Sequence, residues 1–256
     1  MNTSKTNMLN PKNTFASFVV CGGNDFACAT ARTVANTPGK AFNPLFLHGD
    51  TGLGKTHLLH AIGLHIARQR KGARVVCLSA ETLAGECIAA IQDNRLQAFR
   101  DKYRHIDVLL IDDLHFLVGK DPIQEELFHT FNYLIGAGRQ IVLACNCPPA
   151  RCLPPKFKAL EQRLVSRFEW GQVASVEAPD AETRLAILEQ KTRSMDVHLP
   201  ANILHFLANR IRSNVRRLEG AMIHVASYAA LTGKTLTVNR VENLLRDILR
   251  DEGRVA

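Results

Sequence analysis

From Pro44 onward the chain alternates short apolar runs with longer stretches in which apolar residues recur every three or four positions. The runs are PLFLHG (44–49), ARVVCLSA (73–80), DVLLIDD (107–113), RQIVLACN (139–146) and QVASVEAP (172–179). Each has a core of Val, Ile, Leu, Phe or Ala and ends in Gly, Asp, Asn, Ser or Pro. That is the pattern of a strand covered on both faces. The stretches between them are long enough for crossover helices, so the alternation predicts a three-layer α/β domain around a parallel five-stranded sheet. After Pro179 the strand-like runs stop. A first amphipathic helix, capped by Asp180, is expected to run to about Ser194. Ile203, Leu204, Leu207, Ala208 and Ile211 form the stripe of a second. Leu218, Met222, Val225, Ala226 and Ala229 form that of a third, with Ser213 as its cap and Gly233 as its stop. Val241, Leu244, Leu245, Ile248 and Leu249 place a last helix starting near Thr237. A small all-α subdomain therefore follows the sheet domain. The expected division is a flexible polar segment over 1–12, an α/β domain over 13–178, a helical subdomain over 179–251 and a tail over 252–256.

Composition narrows the class. Among 256 residues, 46% are hydrophobic and 22% charged, which excludes a disordered or fibrous chain. No apolar run approaches the roughly 20 residues of a membrane helix, and the opening MNTSKTNMLNPKNTF has no apolar core of the kind a secretory signal needs. The seven cysteines are odd in number and several sit inside apolar runs, as buried thiols of a reducing cytoplasm do. The group Cys145, Cys147 and Cys152 holds no CxxC pair and has no histidine nearby, which speaks against zinc. The net charge of +8 favours a polyanionic partner.

Chemistry enters at residues 49–56, Gly49-Asp50-Thr51-Gly52-Leu53-Gly54-Lys55-Thr56, which fit G-x4-G-K-[ST]. A strand-like run precedes them and a helical stretch follows. Glycines let the backbone wrap phosphates with its N–H groups inward. The helix start adds about half a unit of positive charge. Lys55 supplies a full charge to the terminal phosphates, and the Thr56 hydroxyl is suited to Mg²⁺. A chance match in a Gly-rich turn would lack these flanks. The run Val108–Ile111 leads into Asp112 and Asp113. A turn cap accounts for one carboxylate at a strand end but poorly for two. In an ATPase the first holds the Mg²⁺ shell and the second orients or deprotonates the attacking water. Arg216 and Arg217 fall in the first turn of a helix, where cations oppose the dipole. That marks either function or a compensating partner; for Arg217 a solvated arginine is the preferred reading. Arg163 and Arg167 lie four apart and would repel mildly on one helical face unless an anion, such as a neighbour's nucleotide, stood between them.

The strings NPLFLHGDTGLGKTHLLHAIG, VLLIDDLHFLVGK with QEELFHTFN, RLVSRFEWG and RIRSNVRRLEGA together resemble the AAA+ module of the DnaA family of bacterial replication initiators. The resemblance runs from about Asn13 to Ile248. It implies an AAA+ ATPase of P-loop type with a helical lid, binding ATP or ADP with Mg²⁺ through Gly49, Thr51, Gly52, Leu53, Gly54, Lys55, Thr56 and His57. Thr56 and Asp112 would hold the metal, and Asp113 would handle water. Asn146 falls at the sensor 1 position, Arg167 at the arginine finger that reaches the adjacent subunit's ATP, Arg163 at a subunit-interface arginine and Arg216 at sensor 2. Phe18–Asn24 resembles the segment that closes over the adenine.

This chain also departs from the family pattern. Asn146 stands where the family usually has Asp, followed by Cys147 where a basic residue is usual. Pro122 replaces a basic residue, and Ala84 a larger apolar one, at positions associated with single-stranded DNA. Each removes a contact the resemblance would otherwise imply. PPARCLPPKFKALEQRL is longer than the family's usual connection. The helix-turn-helix domain that reads origin boxes and the helicase-loading domain are not in the sequence. Two readings follow. One is an ATP-driven initiator module that assembles with itself and engages origin DNA. The other is a regulator like the DnaA-related Hda, acting on a full-length initiator; a helicase loader is a weaker third.

Overall fold

The structure is a computed structural model describing residues 9–117, 121–152 and 159–252, apart from the side chains at 121, 152 and 159–161. The expected loose segment falls partly, and the expected C-terminal tail mostly, outside the described residues. So do positions 153–158 of the long connection and the Cys152 side chain.

In chain order the elements are α1 (Asp25–Asn36), β1 (Leu45–His48), α2 (Lys55–Gln69), β2 (Val75–Ser79), α3 (Ala80–Gln92), α4 (Leu96–Arg104), β3 (Val108–Asp112), a 3₁₀ turn (Leu114–Leu117), α5 (Asp121–Gly136), β4 (Gln140–Cys145), α6 (Pro149–Cys152), α7 (Ala159–Trp170), β5 (Gln172–Ser175), α8 (Ala181–Met195), α9 (Ala201–Arg210), α10 (Val215–Thr232), α11 (Val238–Leu244) and α12 (Arg246–Glu252). The five strands lie in the order β2-β3-β4-β1-β5, all parallel. Each expected apolar run holds one of them.

Two compact units result. One comprises the described residues up to Phe18, Asp25–Gly49 and Lys55–Val176; the other comprises Val19–Asn24, Asp50–Gly54 and the described residues from Glu177 on.

In the α/β unit the central strands are covered on both faces. β4 is buried throughout and β3 along all but its last residue, which is why they read as unbroken apolar runs. Phe46, Phe131 and Phe168 are fully buried and in ring contact, joining β1, α5 and α7. α4 is tied to α5 by a two-pronged pair, Arg100 Nε to Glu126 Oε2 at 2.8 Å and Nη2 to Oε1 at 2.5 Å. The connection leaving β1 passes β4 and β3, while that leaving β4 passes β1 to reach β5. The neighbours β1 and β4 thus send their connections in opposite directions along the sheet, the kind of switch point at whose carboxyl ends α/β sheets bind ligands.

The helical unit packs α8, α9, α10 and α11 around Leu188, Ile203, Leu207, Ile211, Leu218, Met222 and Val225. Arg184 is buried inside it because its guanidinium meets two backbone carbonyls, one in the last turn of α9 and one just before α8: Nε donates to Ala208 at 2.7 Å and Nη1 to Pro179 at 2.6 Å. Asp180 caps α8 through Thr183 N–H, Thr237 caps α11, and Gly233 ends α10 in a left-handed turn.

Three expectations are corrected. The cap of α10 is Asn214, accepting from Arg217 N–H at 2.7 Å, because the Ser213 hydroxyl is engaged by Glu252. The final helical stretch breaks at Leu245 into α11 and α12, and Glu252, expected in the tail, closes α12. Arg217 is not a solvated arginine: it pairs with Asp251 and Glu252, which offset its charge at the positive end of α10.

Candidate functional site

In the α/β unit the apolar β1 ends at His48, and Gly49 turns the chain at φ 148°. A Cβ there would lie 2.1 Å from the Val176 carbonyl oxygen, so only glycine fits. α2 begins at Lys55, directing the N–H groups of its first turn toward the loop. Lys55 is 5% exposed, and its ammonium donates to the Gly49 carbonyl at 2.7 Å. The charge is thus held against the first residue of the motif. It also acts on His48, whose pKa is held below the ordinary value by burial and then by Lys55.

The second half of the site comes from β3, two strands away from β1. Thr56 Oγ donates to Asp112 Oδ2 at 2.6 Å, bringing together residues 56 positions apart. Burial pushes the Asp112 carboxyl above the usual carboxylate range. The Thr56 hydrogen bond opposes this, the Asp113 charge adds to it, and the Asp113 N–H, at 2.9 Å from Asp112 Oδ1, opposes it. Asp113 itself adopts φ 54°, a left-handed turn that an Asp tolerates better than a branched residue does. A hydroxyl and a buried carboxylate facing each other are hard oxygen donors, and a cation there would offset the cost of keeping Asp112 charged. The set therefore fits Mg²⁺. Among the described residues no cluster of three or more His, Cys, Asp or Glu could hold a metal by itself.

Asn146 follows directly on the buried end of β4, half-exposed, in the bend that ends the strand. Arg163 and Arg167 both lie on α7, the first exposed with its guanidinium 5.7 Å from the centre of the Phe128 ring, the second half-buried. Pro122 is exposed in the first turn of α5. Ala84 is buried in the core and offers no surface to a strand of DNA, whereas Ile88 and Ile91 of the same helix are exposed.

The His57 ring meets the segment that precedes α1. Its Nε2–H donates to the Thr14 carbonyl at 2.9 Å, and Phe18 meets it edge-on. One turn further along α2, the Asn13 amide donates to His60 Nδ1 at 3.0 Å. That bond requires a neutral imidazole, in keeping with a pKa lowered chiefly by burial. Residues 13–18 are thus strapped to α2. Only the strap's downstream continuation, Phe18–Asn24, was visible as a candidate in the sequence, since polar contacts 43 to 47 positions apart leave no local pattern.

The helical unit holds the remaining candidates. Thr51 is exposed and Leu53 is 6% exposed. Gly52, at φ 83°, accepts from Val215 N–H at 3.2 Å, and a Cβ on it would lie 3.0 Å from Asn214. The exposed Arg216 follows Val215 in the first turn of α10. In the segment 19–24 the Asn24 side chain, 6% exposed, donates to the Val19 carbonyl and accepts from Cys21 N–H, closing a tight turn. Among the described residues no helix is long and apolar enough to cross a membrane.

Residues 9–175 match the family model of the bacterial DnaA ATPase domain. Domain III of the Thermotoga maritima replication initiation protein DnaA is 41% identical, with a TM-score of 0.89 over 94% of this chain and 98% of that one. DnaA from Aquifex aeolicus bound to AMPPCP is 33% identical, with a TM-score of 0.80 over 94% of this chain and 70% of that one. A replication initiator DnaA bound to AMPPCP and single-stranded DNA matches with the same values. A parallel sheet in this strand order, a phosphate loop at β1 and paired carboxylates at β3 are thus joined to extensive identity, and the chain belongs to the bacterial DnaA ATPase-domain family.

Proposed function

We propose that this chain is the ATP-binding, slowly hydrolysing module of a replication initiator, that its nucleotide-binding α/β domain spans 13–178 and its lid 179–251, and that ATP drives its self-assembly. The Thr56–Asp112 hydrogen bond carries the reading furthest, because it joins the helix after the phosphate loop to the acidic strand end. The N–H groups of residues 52–57 cradle the phosphates, and Lys55 exchanges its Gly49 carbonyl for a phosphate oxygen. Thr56 and Asp112 hold Mg²⁺, which when bound offsets phosphate charge. Asp113 orients or deprotonates the attacking water, and Asn146 helps position it. Arg216 reaches the phosphates from the lid. Arg167 of one subunit reaches the nucleotide of the next, with Arg163 beside it at the interface. Fingers of this kind are worth about 10³–10⁵ in rate, so a monomer hydrolyses slowly. The relatives bound to AMPPCP and to single-stranded DNA support nucleotide binding and a single-stranded partner. The protein is expected to act in the bacterial cytoplasm.

Sedimentation with AMPPCP tests this. The wild type is expected to form larger species with the nucleotide than without it, and Arg167→Ala to stay monomeric while binding the nucleotide normally. A wild type that remains monomeric at all concentrations with AMPPCP overturns the assembly reading.

A further inference from the structure

The C-terminal end of the helical unit carries a polar cluster that the reaction above does not use. Glu252 Oε2 accepts from the N–H groups of Arg212 at 2.8 Å and Ser213 at 3.0 Å, and Oε1 accepts from the Ser213 hydroxyl at 2.5 Å. Arg217 Nη1 lies 3.4 Å from Oε1, while its Nη2 pairs with Asp251 at 2.8 Å. The Glu252 side chain is 8% exposed. Burial works against its charge, but the Ser213 hydroxyl, the two backbone N–H groups and Arg217 together hold its pKa below the usual glutamate range. The last turn of α12 therefore binds a turn that lies 39 to 40 residues earlier in the chain.

That turn, Ile211–Asn214, joins α9 to α10. Its N–H groups at 212 and 213 precede the first turn of α10 and have no partner within a helix. An exposed turn would give them to water and keep its freedom. Here one carboxylate takes both, through charge-assisted bonds that fix the backbone. The consequence falls on the next three residues. Asn214 caps α10, Val215 N–H bonds the Gly52 carbonyl in the phosphate loop, and Arg216 follows. Glu252 is thus joined to the phosphate loop by a continuous chain of hydrogen bonds and three residues of backbone, all within one compact unit.

We propose that Glu252 is a positioning residue for Arg216: by pinning residues 212 and 213 it sets the direction in which α10 presents that arginine to the phosphates. Arg217 and Asp251 hold the carboxylate in place from the other side. The inference rests on the reading of Arg216 as a phosphate ligand, and it adds that the end of α12 tunes how strongly the site distinguishes ATP from ADP. A clamp that served only stability would weaken both nucleotides alike. A clamp acting through a cation aimed at the phosphates weakens the more highly charged nucleotide more.

The test titrates fluorescent mant-ATP and mant-ADP into wild type, Glu252→Gln, Arg216→Ala and the double variant, with thermal melting as the check on folding. Arg216→Ala is expected to weaken ATP about tenfold, the scale of one charged hydrogen bond. Glu252→Gln, which keeps the shape and loses the charge, is expected to weaken ATP about threefold and to lower the ATP-to-ADP preference. The double variant is expected to bind like Arg216→Ala alone, since a positioning residue has nothing left to position. An unchanged ATP affinity in Arg216→Ala overturns the reading of Arg216 itself. A loss in Arg216→Ala without one in Glu252→Gln overturns the positioning role, as does a double variant whose losses simply multiply. Should Glu252→Gln fail to fold, Ser213→Ala removes one bond of the cluster; a drop in its ATP-to-ADP preference supports the role, and an unchanged preference overturns it.

Discussion

Replacing Lys55 with Met separates binding from folding in one substitution. Met keeps an unbranched stem of similar length at a position only 5% exposed, and removes the ammonium that donates to Gly49. For nucleotide, the lost interaction is a charged hydrogen bond to phosphate worth about 1.5–3 kcal/mol, which weakens ATP roughly 10- to 150-fold. For folding, two effects oppose each other. The Gly49 carbonyl loses its donor, costing about 1–3 kcal/mol, while the desolvation cost of a buried ammonium disappears, a gain of comparable size. The net change in stability is expected within about 1 kcal/mol, a shift of roughly 3 °C or less for a chain of this size. A third reading is local. Lys55 is the second cause, after burial, of the lowered pKa of His48, so the variant should raise that pKa toward 6.5. Mant-ATP titration, thermal melting and an NMR pH titration of His48 measure the three. A folded Lys55→Met that binds ATP as the wild type does would refute the phosphate-loop assignment. A fall in melting temperature beyond about 10 °C would show that the buried ammonium is chiefly structural.

Other outcomes follow from the same geometry. Gly49→Ala drives a Cβ to 2.1 Å from the Val176 carbonyl and should prevent native folding; Gly72→Ala, at φ 87° with nothing within 4 Å, should cost only about 1–2 kcal/mol in urea unfolding. Equal effects of the two would contradict the packing at β1. Thr56→Ala should abolish Mg²⁺-dependent ATP hydrolysis while Thr56→Ser, which keeps the hydroxyl beside Asp112, retains most of it; equal activities would remove Thr56 from the metal site. Glu126 has its pKa lowered chiefly by the Arg100 hydrogen bond, so the pair's contribution is present above the unfolded value near 4.5 and is lost as pH falls through the folded value. Arg100→Met should therefore cost about 1–3 kcal/mol at pH 7, Arg100 being partly exposed, and much less once the pH has fallen below the folded value of Glu126. A penalty independent of pH would assign the loss to packing instead.

What was legible in the sequence follows the range of the forces involved. Strands buried on both faces must be apolar along their whole length, so the runs at 44–49, 107–113 and 139–146 mark β1, β3 and β4 by composition alone. The motif of the candidate phosphate loop was equally legible, because it is packed into eight consecutive residues. Local caps were nearly so. Asp180, Thr237 and Gly233 stand where expected, but Ser213 yields its place to Asn214 because a distant carboxylate competes for its hydroxyl. The two arginines at the start of α10 broke a local rule, and the rule correctly signalled a compensating partner. Which arginine had one could not be read locally, since Asp251 and Glu252 lie more than thirty residues away.

By itself, then, the sequence determined the α/β class, the strand positions, the candidate phosphate loop and the acidic end of β3, all of which depend on residues adjacent in the chain. Only the tertiary structure decided the strand order that sets Asp112 against Thr56, the strapping of residues 13–18 to α2, and the attachment of Glu252 to the turn before Arg216. The physical reason is the same in each case. A single hydrogen bond is worth about 1 kcal/mol and leaves no periodicity, so its partner is selected when the collapsed core has already brought distant segments together.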